Sequence, residues 1–200
     1  MVRAGLVESA PGLMSRFRTP FFPVVCVCAA LWAGAPPAVA GFELPSAAVR
    51  EVDGVYLLDA VADLELSAPV RSALENGVDL HITWEVEIER QRNWWLNADV
   101  AAVVQRNRLS YHELSLQYVV TNLNTGERRS FTRLARALRH VGTLIGFPVV
   151  DSVLIDDPTR HRGHVRVRLE HESLPLPLRP TALFGDGWDL ESEWQSWRFE

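Results

Sequence analysis

Residues 78–89 read VDLHITWEVEIE, and this stretch decides the fold. Val78, Leu80, Ile82, Trp84, Val86 and Ile88 fall at every second position, with Asp79, His81, Thr83, Glu85, Glu87 and Glu89 between them. Twelve residues of strict alternation predict a strand with one apolar face in the core and one acidic face in water. Such two-faced strands are typical of antiparallel sheets.

The pattern repeats less cleanly on either side. Residues 55–66 form an apolar-rich run in which Asp59, Asp63 and Glu65 are unevenly spaced, so a bulged strand is expected. Residues 98–105 are valine-rich. From His112 to Val120, Leu114, Leu116, Tyr118 and Val120 alternate with mostly polar residues. NLNTGE then supplies a turn, and residues 128–131 return as a hairpin partner. Residues 147–155 and 165–173 read as another strand pair around the polar loop DDPTRHRG. Two short helices are expected: one capped by Ser67 and closed by Gly77, the other capped by Thr132 and closed by Gly142. In the second, Leu134, Leu138 and Val141 should face inward. Arg129, Arg133, Arg136 and His140 then form a basic flank, read as a solvated face with anionic lipid as the minority reading.

In the tail, GWDLESEWQSWRFE reads as a strand that groups Trp188, Leu190, Ser192 and Trp194. The prolines of LPLPLRP before it demand extended chain along a sheet edge. The elements define a mainly β (α+β) chain: an antiparallel β-sandwich or rolled sheet with two short helices. The organisation expected is a leader over 1–40, a short lead over 41–51 and one β-rich domain over 52–200.

The leader is read from its three parts. Arg16 and Arg18 precede an uncharged apolar block over 21–35, and Ala38-Val39-Ala40 ends it. This order is that of a secretory signal peptide with cleavage between Ala40 and Gly41. The residues that follow should then be periplasmic, and the membrane would be touched only through an uncleaved leader. The alternative is an N-terminal anchor in the inner membrane, since residues 21–40 approach the ~20 apolar residues that span a bilayer. Met14 is a possible internal start.

Composition narrows the function. Both cysteines, Cys26 and Cys28, lie in the leader, so the remaining chain has no disulfide, thiolate metal site or cysteine nucleophile. All 20 basic residues are arginines; beyond Ala40, 17 arginines face 24 acids, a net charge of −7. That balance argues against a nucleic-acid partner. No serine-nucleophile elbow, phosphate-binding glycine loop or paired zinc-ligand histidine motif occurs. His161 and His164, near Asp156 and Asp157, come nearest to a metal cluster, but Arg160 and Arg162 would oppose a cation. No cofactor is therefore expected, and a binding domain is favoured over an enzyme.

Tryptophan is the remaining signal. Trp94 and Trp95 follow ERQRN at a strand end, so one ring can pack inward while the other meets Arg90, Arg92 or solvent. A core plug braced by arginine is the plain reading. The sharper one is that Arg90, Arg92, Trp94 and Trp95 form an interaction surface.

NGVDLHITWEVEIERQRNWW, LSYHELSLQYVVTNLNTGERRSF, LARAL, HVRVRLEHESLPLPLRP and GWDLESEWQSW together resemble an uncharacterised family of exported proteobacterial proteins, DUF4390. The resemblance spans residues 52–197 and the leader. It implies no activity, ligand or catalytic residue, and points weakly to signalling. The expectation is a non-enzymatic binding domain of the cell envelope with an envelope protein as partner; the alternative is a glycan-binding or glycan-processing envelope enzyme.

Overall fold

The computed structural model describes residues 41–92, 98–170 and 187–199. The leader, Trp94, Trp95, His171 and the LPLPLRP stretch lie outside them. Among the described residues, nine strands form two antiparallel sheets. β1 (Phe42–Val52), β2 (Val55–Leu64) and β7 (Thr143–Asp151) make a three-stranded sheet in the order β1-β2-β7. The other sheet has the order β6-β5-β4-β3-β8-β9. Its strands are β3 (Leu80–Arg90), β4 (Ala98–His112), β5 (Gln117–Asn122), β6 (Arg128–Phe131), β8 (His161–Leu169) and β9 (Gln195–Arg198). The expected mainly antiparallel β fold is what the chain adopts.

The alternation of residues 78–89 puts β3 at the centre. Leu80, Ile82, Trp84, Val86 and Ile88 are each 1% exposed or less. In register beside them, Val165, Val167 and Leu169 of β8 are equally buried. Facing this layer, β2 contributes Tyr56, Leu58, Ala60 and Ala62 at every second position. Each large apolar side chain removed from water stabilises the fold by about 1.5–3 kcal/mol, and these layers make the core one continuous cluster.

Two helices cover the sheet ends. In α1 (Ala68–Glu75), Ser67 Oγ accepts a hydrogen bond from the Val70 N–H and donates one to the Gly187 carbonyl at 2.5 Å. Val70 and Leu74 are the buried face. In α2 (Leu134–Val141), Ala137, Leu138 and Val141 are buried. The Trp84 indole N–H donates to the Val141 carbonyl at 2.9 Å, which fastens the end of α2 to the middle of β3. A Cβ at Gly142 would collide with the Ala62 carbonyl, and the Ala62 N–H bonds the Gly142 carbonyl at 2.7 Å. Glycine lets α2 run directly into β7 at this contact.

Several expectations need correction. The stretch 41–51, expected as a short lead, carries β1, an eleven-residue strand paired to β2. Of the run expected as a strand from His112, residues 113–116 form a turn instead. Leu116 adopts φ 53° in the β4–β5 turn, and Leu114 and Leu116 are left in water. The runs 147–155 and 165–173 do not pair: β7 joins β2, whereas β8 joins β3 and β9. The residue in the N-cap position of α2 is Arg133, with no side-chain cap bond, so Thr132 stands one residue too early.

The tail is extended, as expected, but its alternation slips. Trp188, Leu190 and Ser192 are buried, whereas Trp194 is 38% exposed and the inward positions become Trp197 and Phe199. Pairing moves from Arg168 opposite Glu191 to Val165 opposite Gln195, one residue more than a regular ladder allows. A bulge of this kind flips every later side chain. It turns Trp194 outward and drops Trp197 onto Gly163, where any Cβ would enter the indole ring.

Candidate interaction surface

The polar face of β3 points away from the core, and register decides what it meets. Glu89 lies opposite Arg162, Glu87 opposite His164 and Glu85 opposite Arg166. The acids expected simply to face water therefore meet a basic ladder on β8. At its middle, Glu85 accepts from Arg166 Nε through one carboxylate oxygen and from Arg168 Nε through the other, both at 2.7 Å. Arg166 also approaches Glu191 at 3.4 Å. Its guanidinium carbon stands 4.5 Å from the Trp194 ring centroid, while His164 meets the same ring edge-on at 6.4 Å. One row further, Glu170 accepts from Thr83 Oγ1 at 2.6 Å and pairs with Arg106 at 3.1 Å.

The result is a plate of guanidinium and indole on the outer face of the larger sheet. Glu85 is the pin. Burial pushes its carboxyl pKa up, but the hydrogen bonds and charges of Arg168 and Arg166 outweigh that and hold it below 4.5. His81, lower on the same face, is shifted down from 6.5 mainly by burial, with Arg108 adding to it against Glu170 and Asp79.

These shifts predict an acid limb in stability. A histidine whose folded pKa is depressed binds its proton more readily when unfolded, so His81 weakens the fold as pH drops below 6.5. The depressed Glu85 carboxyl stabilises fully above its unfolded value, and this contribution disappears as pH falls from 4.5 through the folded value. Urea midpoints from pH 7.5 to 3 should therefore fall in two stages. His81→Gln should flatten only the upper one, and Glu85→Gln only the lower. A midpoint unchanged from pH 7.5 to 4 would contradict the His81 assignment, and one unchanged from pH 4 to 3 the Glu85 assignment.

The sequence-selected residues are placed as follows. Arg90 ends β3 and bonds Asp156 Oδ2 at 2.6 Å; Arg92 is exposed just beyond the strand. Trp94 and Trp95 are outside the described residues, as is Ala40. The Gly41 carbonyl accepts from the Glu65 N–H at 3.0 Å. His161 and His164 are not brought together, because their odd and even positions send them to opposite faces: His161 is buried in the core side and His164 joins the plate. Asp157 folds back on Thr159, whose hydroxyl and N–H hold its carboxyl pKa below 3.8. Of the expected basic flank, Arg129 lies on β6 and pairs with Glu127 at 2.7 Å, and His140 on α2 packs against Phe131.

Arg166, Arg168, Glu191 and Trp194 were missed as site residues, although RGHVRVR carried a signal: His164, Arg166 and Arg168 alternate with valine as the glutamates of β3 do. Elsewhere, a groove of about 950 Å³ runs between β2 and both helices, with Leu134, Leu138, Arg71 and Asp63 among its walls. A polar crevice of about 180 Å³ opens beside the end of β3.

A family model described as "Domain of unknown function (DUF4390)" matches residues 39–198. No curated protein and no solved structure matches the chain.

Proposed function

The chain belongs to the DUF4390 family, and from that premise we propose that it is an exported, non-enzymatic binding domain of the cell envelope that docks a protein partner on the outer face of its larger sheet. One observation carries the reading: Arg166 stacked over a partly exposed Trp194 and bonded on its other side to Glu85. Tryptophan and arginine dominate the energetics of protein interfaces. Here both are already held in place, so a partner has less side-chain freedom to freeze out. The charged leader, its apolar block and the Ala-x-Ala ending support a periplasmic site of action. The glycan reading is weaker, because Arg166 stands over the Trp194 face that a sugar ring would need.

The test is a photo-crosslinking residue placed at Ser196, on the plate side of β9, and at Ile145, which is 79% exposed on the smaller sheet. In intact cells, Ser196 should give a discrete adduct that Trp194→Ala removes, while Ile145 gives none. Identical adducts from both positions, or an adduct indifferent to Trp194→Ala, would count against the plate. In the same cells, protein recovered from the periplasmic fraction should begin at Gly41; recovery only in the cytoplasm would reject export.

A further inference from the structure

We propose that the polar crevice at the end of β3, between β8, β9 and the turn Pro158–Arg160, binds a small oxyanion, such as a phosphate or carboxylate group. The crevice is lined by Gln91, Thr159, His161, Arg162 and Arg198. Its two arginines lie directly opposite each other in the β8–β9 ladder. Like charges at such positions repel unless something negative sits between them. Neither guanidinium makes an ion pair among the described residues.

The neighbouring acids are mostly committed elsewhere. Asp156 is bonded to Arg90 and lies 3.7 Å from His161 Nε2. Asp157 accepts twice from Thr159. Glu89 stands across from Arg162 on β3. Among the residues that line the crevice, Arg162 and Arg198 are basic and none is acidic, in a chain that is negative overall.

The walls are also fixed before anything binds. The Gln91 N–H donates to the Arg160 carbonyl at 2.8 Å, which ties the strand end to the turn. His161, with a side chain only 1% exposed, is held through Nδ1 against the Asp157 carbonyl at 2.8 Å. A volume of about 180 Å³ has room for one such anionic group with a few waters. Planar guanidinium forks match carboxylate and phosphate oxygens in pairs.

The site needs no protein partner and stands or falls separately from the docking plate. Calorimetric titration of the purified full chain at low salt with inorganic phosphate, and separately with acetate, tests it. Saturable binding of at least one anion is expected. Arg198→Gln and Arg162→Gln should each weaken it about tenfold or more, the loss of one charge-assisted contact. Arg198→Lys should fall between, and Arg129→Gln, on β6, should change nothing. Arg198 is exposed on an edge strand, so its variants report on binding even if Arg162→Gln disturbs the fold. Sedimentation with phosphatidylglycerol vesicles, against phosphatidylcholine, separates the sources: Arg198-dependent capture assigns a lipid headgroup, and binding of the free anion alone assigns a soluble ligand. No saturable binding of either anion, or equal weakening by Arg129→Gln, would overturn the proposal.

Discussion

Trp84→Ala is expected to remove about 3–5 kcal/mol of folding stability, the range for truncating a fully buried large side chain. Trp84 has no exposed surface, sits at the centre of the middle strand, and bonds the last carbonyl of α2. Its loss opens a cavity and leaves the Val141 carbonyl without its partner. Against a total stability of about 5–15 kcal/mol, the variant should be marginal at 37 °C. Trp84→Phe separates the two effects. It keeps most of the apolar volume but orphans a buried carbonyl, for about 1–3 kcal/mol. Urea unfolding followed by circular dichroism measures both. An alanine variant within about 1 kcal/mol of the parent would mean that the β3 face is not the anchor described.

Gly163→Ala should cost about 1–3 kcal/mol through overpacking, although it adds only one methyl group. The methyl would enter the space of the Trp197 indole, which is 8% exposed and has little room to retreat. A second substitution tests the cause. In a Trp197→Leu background the obstructing ring is gone, so the same alanine should be nearly neutral. The coupling between the two changes should therefore approach the whole cost of the first. Additive effects would show that the glycine is needed for its backbone and not for the ring above it.

These two positions also show what could be read from sequence. Trp84 was legible because its neighbours alternate without interruption for twelve residues, and a two-residue period has only one structural meaning. Gly163 was not, because its constraint comes from a residue on another strand whose register depends on a bulge. β1 escaped detection for a related reason: Pro45 and the register shift between Glu43 and Ser46 break its pattern, and its alanines carry little hydrophobic signal. Leu114 and Leu116 misled in the opposite direction, since two leucines two apart look like a strand face until a positive φ turns the chain.

The arginine–tryptophan plate divides the same way. The glutamates of β3 and the basic residues of β8 were each visible as alternating charges. Their partnership was not, because nothing local states that these strands are neighbours in this register. Trp194 was grouped with the inward residues until the bulge reversed it. Arg90 and Arg92 were selected from composition around a tryptophan pair that lies outside the described residues; Arg90 bonds Asp156.

The packing of Phe199 edge-on against Tyr56, 4.8 Å between ring centres, also bears on timing. It joins a ring from the second strand to one near the far end of the described chain. Contacts of such wide sequence separation make folding slow, because a long loop must close before any reward arrives. The chain has therefore to be made as far as Phe199 before its interior can be sealed, and a premature stop anywhere upstream of Trp197 would leave apolar surface open to proteases.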